Sequence, residues 1–338
     1  MAKNMLERKR IFIQAESEVA AINMVYGASS VGARSMTSSS SPGISLKQEG
    51  MSYAAGADIP LVLVNVVRGG PGLGSIAPAQ SDYFQSTRGG GHGDYYSIVL
   101  APKSVQECAD LTYLAFDLAD QYRVPVIVLA DGMIGQMMEG VVLPPERPLN
   151  SLPKRDWTAG HLPERSGGDQ GPLAGGPAVH LTSIFLDPAV LEARNKKRLL
   201  RYETIKAKEI RFEAVGCDAA PDLTLVAYGT SARIALGAKV LAEKAGIKLG
   251  LFRPISLWPF PYQALAKIAA TGKPLLTVEM SEGQLVEDVK LSVYEGLACQ
   301  TTAPSAPSAP VHLLAHSGGV IPTEEEVFAE VKRILEVS

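Results

Sequence analysis

Two nearly uninterrupted apolar segments most constrain how this chain can fold. Residues 59–67 are Ile-Pro-Leu-Val-Leu-Val-Asn-Val-Val, and residues 125–131 are Pro-Val-Ile-Val-Leu-Ala-Asp. Neither segment alternates apolar with polar residues, as a strand with one solvent face does. The pattern is typical of parallel strands covered by helices on both faces. The surrounding segments predict helices over 15–29, 44–57 and 104–121 and short strands over 11–14 and 34–37. The first half is therefore predicted to be a doubly wound α/β domain.

The second half predicts a further α/β unit. Its predicted strands are 223–227, 248–252, 274–279 and 311–315, and its predicted helices are 232–245, 262–271, 284–297 and 324–335. Between the halves, residues 144–177 are an irregular excursion rich in Pro, Gly and charge, and residues 191–212 predict a charged surface helix. Residues 303–310 alternate Ala, Pro and Ser and predict a stiff loop. We therefore expect domains over 1–185 and 219–338, joined by a connecting helix within 186–218.

Charge and hydropathy exclude several classes of partner. The 338 residues include 32 Lys and Arg against 35 Asp and Glu, a net charge of −3, which does not favour a general nucleic-acid or anionic-membrane surface. No apolar run approaches the roughly 18 residues that span a bilayer. Residues 1–10 are basic but lack the apolar core of a signal peptide. We expect a cytoplasmic protein with no nucleic-acid or membrane partner.

The cysteines and histidines do not form a metal-binding pattern. Cys108, Cys217 and Cys299 are far apart in sequence, whereas a [4Fe–4S] cluster takes four thiolates. This chain cannot ligate such a cluster alone. Among five histidines only His312 and His316 are close, and we expect them to be packed or solvent-facing rather than metal ligands. No metal ligand is therefore predicted.

Three segments could carry chemistry in the first half. Glu16 and Glu18 lie at a strand-to-helix junction, where they either complement the helix dipole or hydrogen-bond to a cofactor nitrogen. Arg68 follows the apolar strand and precedes a glycine-rich loop. Ligands of open α/β sheets bind beyond the carboxyl ends of the strands, so Arg68 either binds an anion there or holds loop carbonyls or an ion pair. No Walker A motif follows.

The third segment surrounds His92 with glycines, which indicates either close approach of the backbone to another group or a flexible surface loop. The four serines at 38–41 are not accompanied by a G-x-S-x-G elbow, so they are predicted to cap the helix over 44–57 rather than to supply a nucleophile.

Together, seven segments resemble the α subunit of 2-oxoacid:ferredoxin oxidoreductases, and in particular the branch acting on 3-methyl-2-oxobutanoate (2-ketoisovalerate), a branched-chain 2-oxoacid. They are Gln-Ala-Glu-Ser-Glu-Val-Ala-Ala-Ile-Asn-Met-Val-Tyr-Gly from 14, Thr-Ser-Ser-Ser-Ser-Pro-Gly-Ile-Ser-Leu-Lys-Gln-Glu-Gly from 37, Val-Arg-Gly-Gly-Pro-Gly-Leu-Gly from 67, Gln-Ser-Asp-Tyr-Phe from 80, Gly-Gly-Gly-His-Gly-Asp-Tyr from 89, Ala-Asp-Gly-Met from 130 and Arg-Pro-Ile-Ser-Leu-Trp-Pro-Phe from 253. The resemblance extends from residue 11 to the C-terminus and weakens over 144–177.

This resemblance implies a fold and a site. The fold is a pyrimidine-type thiamine-diphosphate-binding α/β domain followed by a transketolase C-terminal-like domain. Glu18 would hydrogen-bond to N1′ of the aminopyrimidine, and the register of the motif excludes Glu16. A helix N-terminus would keep such a carboxylate ionised against desolvation. Ser39 and Ser40 would also contact the cofactor, and Arg68 would bind the substrate carboxylate.

The resemblance also implies an activity shared among subunits. The enzyme would decarboxylate a branched-chain 2-oxoacid oxidatively to acyl-CoA and CO2, with coenzyme A as acyl acceptor and ferredoxin as electron acceptor. A β subunit would hold Mg²⁺ and a [4Fe–4S] cluster, and γ and ferredoxin-like δ subunits would complete the complex. Residues 253–260 would form a loop packed against partner chains.

Two alternatives stay open. A 2-oxoglutarate:ferredoxin oxidoreductase would need a further cation for the second carboxylate, and Arg88 is the candidate. A non-catalytic α/β scaffold would tolerate Glu18→Gln without loss of function.

The sequence departs from the family pattern at its start. Family members begin with a strand, a Tyr-Pro-Ile-Thr-Pro loop and a helix, and residues 1–10 stand in their place here. Either the chain is truncated, or its start was assigned too late, or the missing segment is dispensable. We expect the chain as given to have an incomplete site and an exposed sheet edge.

Overall fold

The computed structural model describes residues 2–8, 10–145, 157–159, 179–298 and 309–336. The described strands are β1 Met36–Ser39, β2 Leu61–Val67, β3 Ile98–Leu100, β4 Pro125–Asp131, β5 Phe212–Val215, β6 Leu223–Val226, β7 Leu249–Pro254, β8 Ser256–Trp258, β9 Leu275–Glu279 and β10 Val311–Ala315. The described helices are α1 Ala2–Glu7, α2 Glu18–Ser30, α3 Ser41–Gly56, α4 Tyr83–Thr87, α5 Val105–Tyr122, α6 Gly132–Gln136, α7 Pro188–Lys208, α8 Gly229–Lys244, α9 Tyr262–Ala269, α10 Leu285–Ala298 and α11 Glu324–Leu335.

The first sheet has the order β1-β2-β4-β3-β8, and its two longest strands are the two apolar segments. β2 and β4 run parallel in full register, with Leu61 opposite Pro125 and Val67 opposite Asp131. Every residue of β4 is buried. Helices α3 and α5 pack against both strands. The predicted doubly wound arrangement is confirmed, because only helices that cover both faces could bury such strands.

The second sheet has the order β10-β9-β6-β7-β5, in which β5 alone runs antiparallel. Helix α8 packs on β7 and β9, and α11 packs on α8. The two sheets are joined by a continuous apolar core. Residues of α9 and α10, including Leu265 and Val289, belong to the same buried cluster as the first sheet.

The structure corrects the predicted loop over 253–260. Arg253 and Pro254 end β7, and Trp258 closes β8, which pairs antiparallel with β3 of the first sheet. Trp258 and Phe260 are buried within this chain instead of being presented to a partner. Trp258 stacks on Tyr96 and packs edge-on against Tyr202, and Phe260 packs on Tyr262, so the side chains of Trp258 and Phe260 are removed from water.

A second correction concerns residues 11–14, which were predicted to be a strand. In the structure they belong to no strand, and Ile11, Phe12 and Ile13 are exposed. An apolar tetrapeptide becomes a strand only where a neighbouring strand supplies hydrogen-bond partners, and among the described residues none does so here. β1 forms this edge of the first sheet.

The helical segment between the sheets begins and ends earlier than predicted. α7 has Asp187 as its N-cap and Pro188 at its first position. It ends at Lys208, and residues 212–215 form β5 instead. Most of the irregular segment 144–177, most of the 303–310 loop and Cys299 lie outside the described residues. Within the described part of the chain, no helix has the length and apolar character needed to cross a bilayer.

Candidate functional site

The carboxyl ends of β1, β2 and β4 meet at one edge of the first sheet. These strands are parallel, with Ser39 at the end of β1 opposite Asn65 of β2. α3 begins directly after β1. α2 precedes β1 and runs back along the sheet, so its first turn lies at the same edge. This is the edge at which open α/β sheets bind ligands.

Glu18 is the first residue of α2 and is half-buried. The hydroxyl of Ser17 caps the helix by accepting a hydrogen bond from the Ala20 amide at 3.2 Å. The Ser39 hydroxyl donates to Oε1 of Glu18 at 3.2 Å. Glu16 is exposed. The structure thus distinguishes the two acidic residues by environment, and only Glu18 faces the strand ends.

Gly43 explains how α3 approaches this carboxylate so closely. A Cβ atom at position 43 would lie 2.6 Å from Glu18 Oε1 and would also clash with the Ser39 hydroxyl. Only glycine therefore leaves room for both side chains. The helix starts three residues earlier than predicted, at Ser41, and Ser40 is its N-cap without a side-chain capping bond.

Arg68 lies directly after β2, half-buried, at the same edge. Its amide donates to the Ser41 hydroxyl at 3.1 Å. Its Nε is buried without a hydrogen-bond partner, and among the described residues no carboxylate forms an ion pair with its guanidinium. A half-buried cation without a counter-ion leaves its donors available to an anion.

A polar cluster that the sequence did not reveal supports Arg68. Oδ2 of Asp82 accepts hydrogen bonds from the Ser41 hydroxyl and from the Asn65 amide, each at 2.8 Å. Asn65 is fully buried, and its Oδ1 has no partner. The one polar residue within the apolar run of β2 was the available signal.

The glycines around His92 lie close to helix α3 of the same chain. A Cβ atom at Gly91 would lie 2.5 Å from the carbonyl oxygen of Gln48 in α3, and Tyr95 accepts a hydrogen bond from the Gly91 amide at 3.1 Å. His92 itself is exposed. The close approach inferred from the glycines therefore involves α3, and the structure does not bring His92 to the strand ends.

Arg88, the candidate for a second substrate carboxylate, is engaged elsewhere. Its guanidinium donates to Oδ1 of Asp288 at 2.9 Å. Asp288 is fully buried and also accepts from the Tyr83 hydroxyl at 2.6 Å and from the Tyr262 hydroxyl. Arg88 directly follows α4 and Asp288 lies in α10, so the ion pair links these two helices. The Asp288 carboxylate already neutralises the Arg88 guanidinium.

Asp131, at the end of β4, connects the edge to the second half of the chain. It accepts hydrogen bonds from the Thr230 amide at 2.8 Å and from the Thr230 hydroxyl at 2.6 Å. Burial raises the pKa of Asp131, and these hydrogen bonds oppose that rise. Its acceptor positions are filled from α6 and α8, so Asp131 holds the two units together.

The described residues contain no group of three or more His, Cys, Asp or Glu side chains arranged to hold a metal ion. Cys108 and Cys217 are free thiols, and burial raises the pKa of each to about 11.

Comparison with known proteins gives the family. Residues 1–200 match the model described as "Pyruvate flavodoxin/ferredoxin oxidoreductase, thiamine diP-bdg". Residues 221–327 match "Pyruvate:ferredoxin oxidoreductase core domain II". The chain is 49% identical over 283 residues to "Ketoisovalerate oxidoreductase subunit VorB" of Methanothermobacter marburgensis, covering 84% of this chain and 77% of the relative. It is 41% identical over 284 residues to "2-oxoglutarate synthase subunit KorA" of Archaeoglobus fulgidus, covering 83% and 78%.

Solved structures confirm the fold. A 2-oxoglutarate:ferredoxin oxidoreductase from Magnetococcus marinus aligns over 98% of this chain with a TM-score of 0.75 and 25% identity, and this chain spans 58% of that one. A split-gene transketolase aligns over 98% of this chain and 85% of its own with a TM-score of 0.54 and 16% identity. The chain therefore belongs to the thiamine-diphosphate-binding pyruvate flavodoxin/ferredoxin oxidoreductase family, as an α-type subunit of a 2-oxoacid:ferredoxin oxidoreductase similar to the ketoisovalerate branch.

Proposed function

We propose that this chain acts within a multi-subunit enzyme that converts a branched-chain 2-oxoacid and coenzyme A to acyl-CoA and CO2. The two electrons released pass to ferredoxin. The observation that carries the proposal is that Glu18 and Arg68 lie at the same sheet edge. Ser39 contacts Glu18 and Ser41 contacts Arg68, so a three-residue segment joins the two groups. Glu18 is a carboxylate acceptor at a helix N-terminus, and Arg68 is a guanidinium that has no counter-ion among the described residues.

The residues present fit the aminopyrimidine end of thiamine diphosphate. Glu18 has one side-chain hydrogen bond among the described residues, which leaves acceptor positions for an N–H group. In this proposal Glu18 holds a proton at N1′ and Ser39 orients its carboxylate. Ser40, the N-cap of α3, would contact the cofactor. When bound, the cofactor supplies the carbon nucleophile and takes up the electrons left by CO2.

The proposed substrate class follows from charge. Arg68 would bind the 1-carboxylate through charge-assisted hydrogen bonds. The segment after it, residues 69–79, contains no charged residue, and Arg88 is paired with Asp288. A substrate with a neutral side chain is therefore favoured over 2-oxoglutarate, whose side chain ends in a second carboxylate. This agrees with the name of the 49%-identical relative. 2-Oxoglutarate stays the second candidate because other relatives carry that name.

The remaining components are proposed for partner chains. Mg²⁺, the cofactor diphosphate and a [4Fe–4S] cluster would be held by a β subunit. Subunits γ and ferredoxin-like δ would complete the complex, in the cytoplasm. The support is that the relatives are named as subunits.

The test uses this chain co-produced with its neighbouring subunits. Reduction of ferredoxin or methyl viologen is measured with thiamine diphosphate and coenzyme A, comparing 3-methyl-2-oxobutanoate, 2-oxoglutarate and pyruvate. We expect the branched-chain acid to give the highest kcat/KM. Glu18→Gln is expected to lower kcat by about 10²-fold or more, the range of proton-transfer catalysis. Arg68→Met is expected to raise KM, with kcat/KM falling roughly a hundredfold.

Glu16→Gln is the matched control for Glu18, because its exposed carboxylate lies two residues away, and it should retain activity. A complex that turns over normally with Glu18→Gln would exclude the proposed role and favour the scaffold alternative. A preference for 2-oxoglutarate would move the chain to the second candidate.

A further inference from the structure

Lys47 is a buried cation that the proposed reaction does not use. It lies in α3, is 1% exposed, and its ammonium donates to the Thr37 hydroxyl at 2.7 Å and to the Ser38 carbonyl oxygen at 3.0 Å. Among the described residues, no carboxylate lies within ion-pair distance of its Nζ. An ammonium buried without a contacting counter-ion is costly.

The position of Lys47 links it to Glu18. It follows Gly43 by four residues, so both face the same side of α3, and Gly43 is the residue that closely approaches Glu18. The two groups to which Lys47 donates, at positions 37 and 38, directly precede Ser39, whose hydroxyl donates to Glu18. The ammonium therefore fixes the end of β1 that carries the hydrogen-bond partner of Glu18.

The charges of the two residues also interact. Burial lowers the pKa of Lys47, and the negative charge of Glu18 opposes that shift. The nearest acidic residue on α3, Glu49, is exposed and accepts a hydrogen bond from Tyr53 at 2.6 Å. Among the described residues, Glu18 is thus the carboxylate whose charge acts on the buried ammonium, although the two groups do not touch.

We infer that Lys47 is a positioning residue for Glu18: it anchors the Thr37–Ser39 end of β1 and supplies the positive charge that holds the Glu18 carboxylate at the sheet edge. This inference rests on the proposed function, in which Glu18 serves the aminopyrimidine. It assigns no contact between Lys47 and either substrate or cofactor.

A double-mutant cycle in the assembled complex tests this role. Wild type, Lys47→Met, Glu18→Gln and the double variant are compared by the rate at which the C2 proton of bound thiamine diphosphate exchanges with deuterium, without 2-oxoacid. Lys47→Met should slow exchange by about tenfold or more in the wild-type background and by less than about twofold beside Glu18→Gln. The KM for 3-methyl-2-oxobutanoate should stay within about twofold of wild type while kcat falls, because Arg68 is untouched.

The outcomes separate the two ideas. If Glu18→Gln leaves C2 exchange unchanged, the proposed function itself fails. If Glu18→Gln slows exchange but Lys47→Met has no effect, or acts equally in both backgrounds, only the role of Lys47 is overturned. Lys47→Arg, which retains the charge, should recover part of the lost rate. Should the Met variant not assemble, Lys47→Gln replaces it in the cycle, because it retains a hydrogen-bond donor without the charge.

Discussion

At the scale of single residues, the site depends on Gly43, which has no side chain, as much as on the side chains of Glu18 and Ser39. Gly43 lets the first turn of α3 reach the Glu18 carboxylate and the Ser39 hydroxyl. Its backbone has no unusual torsion, so the need for glycine comes from space alone. The atoms that a Cβ atom would meet, the Ser39 hydroxyl and the Cγ and Oε1 of Glu18, all belong to side chains, which can move without unfolding the protein.

Gly43→Ala should therefore weaken cofactor binding while leaving the fold intact. We expect the Kd for thiamine diphosphate in the assembled complex to rise about tenfold or more, because the displaced carboxylate loses its alignment. Equilibrium dialysis measures the Kd, and a thermal melt measures stability. Gly27→Ala is the matched control in α2, since its Cβ would meet nothing within 4 Å. An unchanged Kd for Gly43→Ala would show that this close approach does not shape the cofactor site.

At the scale of secondary-structure elements, polar caps decide where helices begin. α11 starts with a capping box, in which the Thr323 hydroxyl accepts from the Glu326 amide at 3.1 Å and the Glu326 carboxylate accepts from the Thr323 amide at 2.7 Å. The helix packs on α8 through Val327 and Val331, which are fully buried. The cap thus fixes the start of a helix that covers the second sheet.

Thr323→Ala should destabilise α11 by about 1 kcal/mol, the usual cost of losing an N-cap. Hydrogen–deuterium exchange of the amides in α11 would show the loss as faster exchange, concentrated in the first turns. Thr323→Ser retains the hydroxyl and should exchange like the wild type. Equal exchange rates for the Ala and Ser variants would contradict a stabilising role for the cap.

At the scale of the whole molecule, one arginine joins the two halves. Arg253 of β7 is 3% exposed and forms a bidentate pair with Glu107 of α5, both contacts at 2.9 Å. It also donates to Glu213 of β5 at 2.8 Å, and Lys103 donates to the same carboxylate. Burial acts to raise the pKa of Glu213, but the bonds from Lys103 and Arg253 outweigh it and hold that pKa below 4.5.

Arg253→Met should lower the free energy of unfolding by about 2–4 kcal/mol at neutral pH, somewhat less than for a fully buried pair because Glu213 is partly exposed. A carboxylate with a lowered folded-state pKa contributes stability above its unfolded pKa and loses it as the pH falls through the folded value. The difference from wild type should therefore shrink below about pH 4.5. Denaturant unfolding at several pH values measures it.

The matched control is Arg333→Met, which removes a bidentate pair with Glu330 on the surface of α11, where the arginine is 68% exposed. Its expected cost is less than about 1 kcal/mol. If the two variants lose equal stability, or if the loss for Arg253→Met does not depend on pH, the ion pairs of Arg253 do not hold the halves together.

The parts of the fold that could be predicted from the sequence are those that depend on long runs of residues. β2 and β4 were predictable because continuous apolar runs must be covered on both faces, and α5 because its periodicity and the Ser104 cap agree. The family motifs in the sequence indicated Glu18 and Arg68 as site residues. Their roles remain a prediction for the experiments above.

Features that depend on partners distant in sequence could not be predicted and became evident in the folded chain. β3, β5 and β8 are three or four residues long, too short for a periodic signal, and they exist because neighbouring strands satisfy their backbone groups. The apolar segment at 11–14 has no such neighbour among the described residues, and it stays unpaired. The burial of the Lys47 ammonium and the ion pair of Arg88 with Asp288 likewise follow from packing. Local sequence cannot predict them, because the charged groups that meet in the folded chain are distant in sequence.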